Sequence, residues 1–162
     1  MIDLIAEKNI PYVIMHSRGT PQDMTRRNSY SNLIEEVVEE LKQRINFALS
    51  KGVYKWNIWV DPGIGFAKNR DQNIEVFKNL DYIAKELPYP IVLGYSSKKF
   101  IGNLAYLLVN LQNFLEEITS EENTLYGNAA LTSIAIQKGA SLLRVHDPLA
   151  YKSILFADSV YK

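Results

Sequence analysis

The chain has 162 residues, of which 47% are hydrophobic and 22% are charged, a composition typical of a single globular domain. Its 18 basic and 18 acidic residues cancel, which argues against a nucleic acid or an anionic membrane as the main partner. Because it has no cysteine and only 2 histidines, disulfides, thiolate catalysis and zinc sites built from cysteines or from three histidines are excluded.

Helical and strand patterns alternate along the chain. Residues 1–9 have the pattern of a helix end without the apolar core of a signal peptide, and no apolar run is long enough to span a bilayer. Four short apolar segments predict strands at residues 11–15, 56–60, 91–95 and 141–145. Helical patterns follow each strand, at residues 32–50, 71–87, 98–108 with 119–139, and from 147 onwards. This alternation predicts an α/β fold of four parallel strand–helix units.

Two local features add detail to these elements. Asn32 and Glu35 have the spacing of a capping pair at the start of the first long helix. Large aromatic residues are usually buried, so three of them are predicted to lie in the core or in a wall of the site: Trp56, Trp59 and Tyr95.

Asp61 follows the second strand and opens the segment Asp61-Pro62-Gly63-Ile64-Gly65. Pro62 has no N–H to donate to a sheet, so the strand should end near Asp61. Gly63 and Gly65 permit backbone angles that other residues avoid, and they leave room for a ligand. We therefore predict that Asp61 lies at the carboxyl end of a strand, where parallel α/β proteins bind ligands. The alternative is an aspartate that only closes a turn.

The other strands also end in polar residues, and these ends would converge if the sheet curves into a barrel. Met15 is followed by His16 after the first strand, and Lys98 follows two serines after the third. Lys98 could reach a ligand carbonyl or phosphate, although the spacing is not that of a P-loop. Arg144 and His146 are two apart on the last strand, so they face the same side and could hold one anion. A salt bridge for Arg144 and a core position for His146 remain alternatives.

Four motifs together resemble those of dihydropteroate synthase, an enzyme of folate biosynthesis. They are Met15-His16 with Arg18-Gly19-Thr20-Pro21, Asp61-Pro62-Gly63-Ile64-Gly65-Phe66 with Lys68-Asn69, Gly94-Tyr95-Ser96-Ser97-Lys98-Lys99-Phe100-Ile101-Gly102, and Arg144-Val145-His146-Asp147. The resemblance covers essentially the whole chain. It implies that residues 1–162 are a partial pterin-binding domain, the C-terminal half of a (β/α)8 TIM barrel with four parallel strand–helix units.

The resemblance also implies an activity. The family is a transferase that condenses 6-hydroxymethyl-7,8-dihydropterin diphosphate with 4-aminobenzoate, giving 7,8-dihydropteroate and diphosphate, with Mg²⁺. The partners would be these two small molecules, with no nucleic acid and no membrane, and the family is often homodimeric. A cytoplasmic location is expected by default, and a mitochondrial one if the chain comes from a eukaryotic multifunctional enzyme.

Individual roles are carried over motif by motif. Asp61 would accept the N–H and the 2-amino group of the pterin, and Lys98 would bind its polar ring atoms. Arg144 and His146 would hold the departing diphosphate, so the catalytic residues implied are Lys98, Arg144 and His146. The substrate-binding residues implied are these three together with Met15, Asp61, Phe66, Gly94 and Ser96.

Two departures from the family pattern are visible. Ser97 stands where many members carry an arginine that packs on the aminobenzoate ring, which bears on substrate affinity and on the response to sulfonamides. Only four of the eight strand–helix units are present, and the region that supplies the main Mg²⁺ ligands is missing, so no metal ligand is predicted in this half. The chain could be the end of a longer folate-synthesis polypeptide. Alternatives are the pterin-binding domain of a corrinoid-dependent methyltransferase, or an inactive half-barrel that acts only by association.

Overall fold

A computed structural model describes residues 1–94, 121–145, 148–149 and 151–161 of the chain. Its strands are β1 (Tyr12–Met15), β2 (Ile58–Asp61), β3 (Ile91–Leu93) and β4 (Ala140–Leu143). Its helices are α1 (Ile2–Lys8), α2 (Leu33–Ser50), α3 (Arg70–Lys78), α4 (Leu80–Glu86), α5 (Glu121–Gln137) and α6 (Lys152–Tyr161). None of the helices in these ranges is long and apolar enough to cross a membrane.

The four strands form one parallel sheet in the order β1-β2-β3-β4. In the register of β1 on β2, Met15 is the partner of Asp61, so the last residues of these two strands lie side by side. Leu93 is likewise the partner of Leu143. The predicted parallel sheet with strands in chain order is therefore confirmed, and the carboxyl ends of the strands meet at one edge.

The hydrophobic core lies between one face of the sheet and the helices. Ile14 and Val60 point to this side and are at most 3% exposed, and they pack in one cluster with the apolar faces of α2 and α4. The opposite face differs, because Val13 is 47% exposed and Leu142 is 41% exposed. Successive strand residues point to opposite faces, so this alternation marks a second sheet face that is open to solvent.

The predicted helix over residues 71–87 is two helices, α3 and α4, which meet at Asn79. The Asn79 backbone leaves the helical region, with φ −102° and ψ 21°, and its side-chain amide donates to the Glu75 carbonyl at 2.8 Å. Asparagine competes in this way with the helical hydrogen-bond ladder. The apolar spacing continues across the break, which is why the sequence pattern indicated a single helix.

The predicted position of Trp56 is wrong. Trp56 lies in a 3-10 turn, Lys55–Asn57, that precedes β2, and its side chain is 72% exposed. Its ring stacks on that of Tyr54, with the centroids 4.6 Å apart. Trp59, which does lie in β2, is half-buried. Tyr95 lies outside the described residues.

The start of α2 is capped as predicted by Asn32, whose side-chain oxygen accepts from the Glu35 N–H at 3.5 Å. The carboxylate that completes the cap belongs to Glu36, however, and not to Glu35. Glu36 Oε1 accepts from the Asn32 N–H at 2.8 Å and from the Ser31 N–H at 2.6 Å. In a capping box the side chain three residues after the cap accepts from the N–H of the capping residue. Here Glu36, one residue further along, accepts from the Asn32 N–H instead.

Candidate functional site

Asp61 ends β2 at the carboxyl edge of the sheet, and its side chain is 7% exposed. Its Oδ1 accepts a hydrogen bond from the Gly63 N–H at 2.7 Å. Burial raises the pKa of Asp61, and this effect is opposed by that hydrogen bond and by the cations of Arg144 and Lys68. The site therefore holds a largely desolvated carboxyl group, for which a ligand with N–H donors would be a favourable partner.

The segment after Asp61 is pressed against the end of β1. Gly63 has φ 72°, and a Cβ atom there would lie 1.9 Å from the carbonyl oxygen of His16. The His16 N–H donates to the Asp61 carbonyl at 2.9 Å, which continues the pairing of β1 with β2. Only glycine fits this approach, because any side chain at position 63 would overlap a backbone carbonyl.

Lys68 lies beneath this segment and is 9% exposed. Its ammonium nitrogen lies 2.8 Å from His16 Nδ1, and it donates to the carbonyl oxygens of Gly63 at 3.1 Å and Phe66 at 3.2 Å. Burial lowers the pKa of Lys68 from 10.5 to about 7, although Asp61 acts in the opposite direction. The lysine thus connects the end of β1 with the loop that carries Asp61.

His16 is completely buried and points towards α2. Its Nε2 lies 3.2 Å from Glu40 Oε2, but the geometry is not that of a hydrogen bond, and no other partner is found among the described residues. Glu40 also accepts from Arg18 Nε at 2.8 Å, and Arg44 donates to the Met15 carbonyl at 2.6 Å. Burial, together with the cations of Lys68, Arg44 and Arg18, lowers the pKa of His16 from 6.5 to about 3.

This buried histidine predicts an acid-sensitive fold. Because the pKa of His16 is about 3 when folded and 6.5 when unfolded, the unfolded chain binds a proton between these values and the folded chain does not. Stability should therefore fall as the pH drops, by about 2 kcal/mol between about pH 7 and about pH 5. Urea unfolding at both pH values measures this loss.

The matched variants are His16→Asn, which keeps an acceptor for Lys68, and His146→Asn. The difference in stability between the two pH values should largely disappear in His16→Asn and persist in His146→Asn, because the chain has only these 2 histidines. An undiminished difference in His16→Asn would show that another group is responsible.

Arg144 follows β4 and is exposed, and its backbone N–H donates to the Leu93 carbonyl at 2.9 Å. Its guanidinium group lies over Gly94, which directly follows the neighbouring strand β3. A Cβ atom at position 94 would be 2.6 Å from Arg144 Nη2. Because Gly94 has no side chain, the guanidinium group of Arg144 fits at the carboxyl edge of the sheet. From there its positive charge lowers the pKa of Asp61.

A cleft of about 1200 Å³ opens on the exposed face of the sheet. Met15, Asp61 and Arg144 line it at the carboxyl edge of the sheet, and Val13 and Leu142 line its apolar floor. Phe66 and Gly94 are not among the described residues that line the cleft. Phe66 is half-buried on the loop after β2, where its N–H donates to the Gly63 carbonyl at 3.1 Å.

This strand edge, with a buried aspartate at the end of β2, occurs in a sequence that the pterin binding enzyme family matches over residues 1–146. The chain belongs to the pterin binding enzyme family. A dihydropteroate synthase from Clostridium beijerinckii is 41% identical to it over 150 residues, which are 92% of this chain and 48% of that protein. The chain therefore spans about half the length of the curated relatives that it matches.

Solved structures of the pterin binding enzyme family share the fold. The crystal structure of dihydropteroate synthase from Thermus thermophilus in complex with 6HMPPP superposes with a TM-score of 0.84 at 29% identity, covering 99% of this chain and 59% of that one. The complex of the same enzyme with 4-aminobenzoate gives a TM-score of 0.83 at 29% identity, covering 99% and 61%. The prediction of half a (β/α)8 barrel with four parallel strand–helix units is confirmed.

Three of the predicted site residues lie outside the described residues: Ser96, Lys98 and His146. The described ones fall into two groups. Met15, Asp61 and Arg144 come together at the cleft, whereas Gly94 lies against the guanidinium group of Arg144 and Phe66 lies on the loop after β2. In the described ranges, no group of three histidine, aspartate or glutamate side chains could hold a metal ion. The cleft is therefore where three of the predicted ligand-binding residues meet in the described part of the chain.

The role of Lys68 and its contact with His16 do not follow from the sequence pattern. The one available signal was that Lys68 is the only charged residue in the segment 62–69, which is otherwise apolar, glycine-rich or neutral. His16 was expected at the mouth with the other strand ends. It instead points into the layer between the sheet and α2, because it is one residue past Met15 and successive strand residues face opposite sides.

Proposed function

We propose that this chain carries the pterin-binding part of a dihydropteroate synthase. The reaction is the condensation of 6-hydroxymethyl-7,8-dihydropterin diphosphate with 4-aminobenzoate to give 7,8-dihydropteroate and diphosphate. The observation that supports it best is Asp61, a buried carboxyl group at the carboxyl end of β2 that lines the cleft in a chain of the pterin binding enzyme family. The relatives described above are dihydropteroate synthases, which favours this reaction over corrinoid-dependent methyl transfer.

Asp61 is suited to one edge of the pterin ring. That edge presents a ring N–H and a 2-amino group, and two parallel N–H donors match the two oxygens of a carboxylate. Oδ1 already accepts from the Gly63 N–H, but each carboxylate oxygen can accept more than one hydrogen bond. Burial strengthens these bonds, because the site offers little water as a competing partner.

The remaining roles follow the order of the strands. Met15 and Phe66 border the ring beside Asp61, and Lys98 binds its polar ring atoms. Ser96 lies near the aminobenzoate, and Gly94 leaves space for the guanidinium group of Arg144.

The reaction is a displacement at the pterin methylene carbon. The amine nitrogen of 4-aminobenzoate forms a bond to this carbon, the C–O bond to the diphosphate breaks, and the nitrogen releases one proton to solvent. No side chain becomes a covalent nucleophile. Arg144 and His146 take up the negative charge that develops on the departing diphosphate. Lys98 holds the ring on which positive charge develops, so these three are the catalytic residues of the proposal.

Magnesium belongs to the proposal only through the family reaction, in which the ion would neutralise diphosphate charge. No group of three acidic or histidine side chains among the described residues could hold the ion, and no step is assigned to it. A homodimer and a cytoplasmic location likewise remain predictions from the resemblance.

The test is calorimetric titration of the chain with 6-hydroxymethyl-7,8-dihydropterin. We expect Asp61→Asn to weaken binding by about 1–3 kcal/mol, because a hydrogen bond to a charged group is lost while the shape of the side chain is kept. Asp71→Asn is the matched control, since Asp71 is exposed in the first turn of α3. Equal binding by the chain and by Asp61→Asn would contradict the proposal.

A further inference from the structure

Lys68 has a set of contacts that the proposed reaction does not use. Its nitrogen faces three acceptors, at 2.8 Å on His16, 3.1 Å on Gly63 and 3.2 Å on Phe66. A protonated lysine has three N–H bonds and no acceptor, so three acceptors match the ammonium form. The histidine proton then belongs on Nε2, on the side of Glu40, and Nδ1 accepts from Lys68.

The contacts of Lys68 join two separate parts of the site. His16 follows the last residue of β1, whereas Gly63 and Phe66 belong to the loop that follows β2. The same Gly63 donates its N–H to Asp61 Oδ1 at 2.7 Å. The carbonyl of Gly63 is therefore held by Lys68, and its N–H orients the carboxyl group of Asp61.

Side chains also hold the rest of the loop after β2. Other residues bind its far end, and Lys68 binds the end beside Asp61. The Gly65 N–H donates to Asn73 Oδ1 at 2.7 Å, and the hydroxyl of Tyr30 donates to the Ala67 carbonyl at 2.8 Å. Asn73 in turn donates to the Lys68 carbonyl at 3.2 Å. These bonds fix the far end of the loop, whereas Lys68 fixes the end next to Asp61.

A buried cation is a costly way to fix a loop. Among the described residues no carboxylate forms an ion pair with Lys68, so its charge is balanced only by neutral acceptors and by the more distant Asp61 and Glu40. An apolar side chain of the same length would avoid the loss of hydration. The charge has one evident benefit at the site, since it opposes the rise in the pKa of Asp61 that burial causes.

We propose that Lys68 is a positioning residue for pterin recognition, whose ammonium group holds Gly63 and Phe66 against His16 and thereby orients Asp61 towards the ligand. This proposal rests on the proposed pterin-binding function. Lys68 itself does not contact the pterin in it, and acts through the Gly63 peptide groups. The loop should then depend on the charge of Lys68, and ligand affinity should depend on it too.

The pH dependence follows from the surroundings of Lys68. The titratable and charged groups that face it are His16, Asp61, Glu40, Arg18 and Arg44. Burial brings the pKa of Lys68 to about 7 and that of His16 to about 3, so of these two only the lysine loses a proton near neutral pH. Pterin affinity should then decrease as the pH rises through 7, in step with the loss of one N–H donor.

The first measurement is made without ligand. In the ¹⁵N–¹H spectrum of the chain, the amide signals of Gly63 and Phe66 should shift with a midpoint near pH 7, and these shifts should be absent in Lys68→Met. Lys138→Met is the matched control, because Lys138 also donates to a backbone carbonyl, that of Lys78, at 2.8 Å but is not among the residues that line the cleft. Signals of Gly63 and Phe66 that do not titrate in the unmodified chain would overturn the proposal without any variant.

The second measurement is calorimetric titration with 6-hydroxymethyl-7,8-dihydropterin from about pH 6 to about pH 9, where Lys68 changes its charge. We expect Lys68→Met to bind about tenfold more weakly at the lower pH and to lose the pH dependence of the unmodified chain. The affinity of Lys68→Met is compared with that of Lys138→Met at each pH. Protonation of the ligand affects both variants equally, so it cancels in this comparison.

Two results would overturn the positioning role. One is an affinity of the unmodified chain that does not change across this pH range, which needs no folded variant. The other is a less stable Lys68→Met that binds with unchanged affinity, since that is what a purely structural lysine would give. No binding by the unmodified chain at any pH, with the Gly63 and Phe66 signals still titrating near pH 7, would instead refute the pterin function and leave the link of Lys68 to the loop.

Discussion

Replacing Gly63 with alanine is expected to lower the free energy of unfolding by roughly 3–5 kcal/mol, the range of the most damaging single substitutions. The new Cβ atom would lie 1.9 Å from the His16 carbonyl oxygen, and the backbone already has φ 72°. The obstacle is backbone, which cannot rotate away as a side chain does. The loop would have to move off β1, and the hydrogen bond to Asp61 Oδ1 would be lost with it.

Gly65→Ala separates the steric effect from the effect of backbone angle. Gly65 has φ 85°, but a Cβ atom there would meet nothing within 4 Å. Gly65→Ala should lower the free energy of unfolding by only about 1–2 kcal/mol, the usual penalty for a residue other than glycine in the left-handed region. Urea unfolding of both variants measures the difference. Equal losses in the two variants would show that the approach to His16 does not restrict position 63.

The second large effect concerns turnover. We expect the 162-residue chain by itself to form dihydropteroate at less than about one-thousandth of the rate of the Clostridium beijerinckii relative, because catalysis depends on precise placement of both substrates. The chain spans 48% of that relative, and its described residues include no group of three acidic or histidine side chains that could hold a metal ion. The assay combines both substrates with Mg²⁺ and measures dihydropteroate for the two proteins side by side.

The same preparation should associate with itself. Val13 and Leu142 leave an apolar floor open, with 47% and 41% of these side chains exposed, and such surfaces favour contact between molecules. Light scattering gives the mass in solution. A monomer that turns over nearly as fast as the relative would show that these residues already contain a complete site.

The architecture could be predicted from sequence because its signals are local. Apolar segments that alternate with amphipathic helices predict parallel strands, and this pattern does not depend on how the side chains pack. Pro62 and Gly63 mark the end of β2. Asp61 and Arg144 could be placed at the carboxyl edge by the same reasoning, since any residue that follows a strand is there. For Met15, the family resemblance implies a role in substrate binding, and the pairing with Asp61 comes from the structure.

The structure differs from the sequence-based predictions where the decisive contact is distant in sequence or depends on one backbone angle. The apolar spacing around Asn79 fits one helix or two, and only the local hydrogen bond decides between them. Trp56 belongs to an apolar segment by composition, but the strand begins two residues later, at Ile58. The contact of Lys68 with His16 spans 52 positions, and no spacing rule within one element could predict it.

The order of the strands also predicts which parts of the sheet exchange their amide hydrogens with solvent slowly. Within the described sheet, β2 and β3 each pair on both sides, whereas β1 and β4 each have one neighbouring strand. Amides that point outward from β1 and β4 would exchange with solvent by small local openings, while those in the centre require the sheet to separate. Asp61 ends one of the two central strands. We therefore expect the strand that carries the carboxyl group of the cleft to lie where backbone amides exchange most slowly.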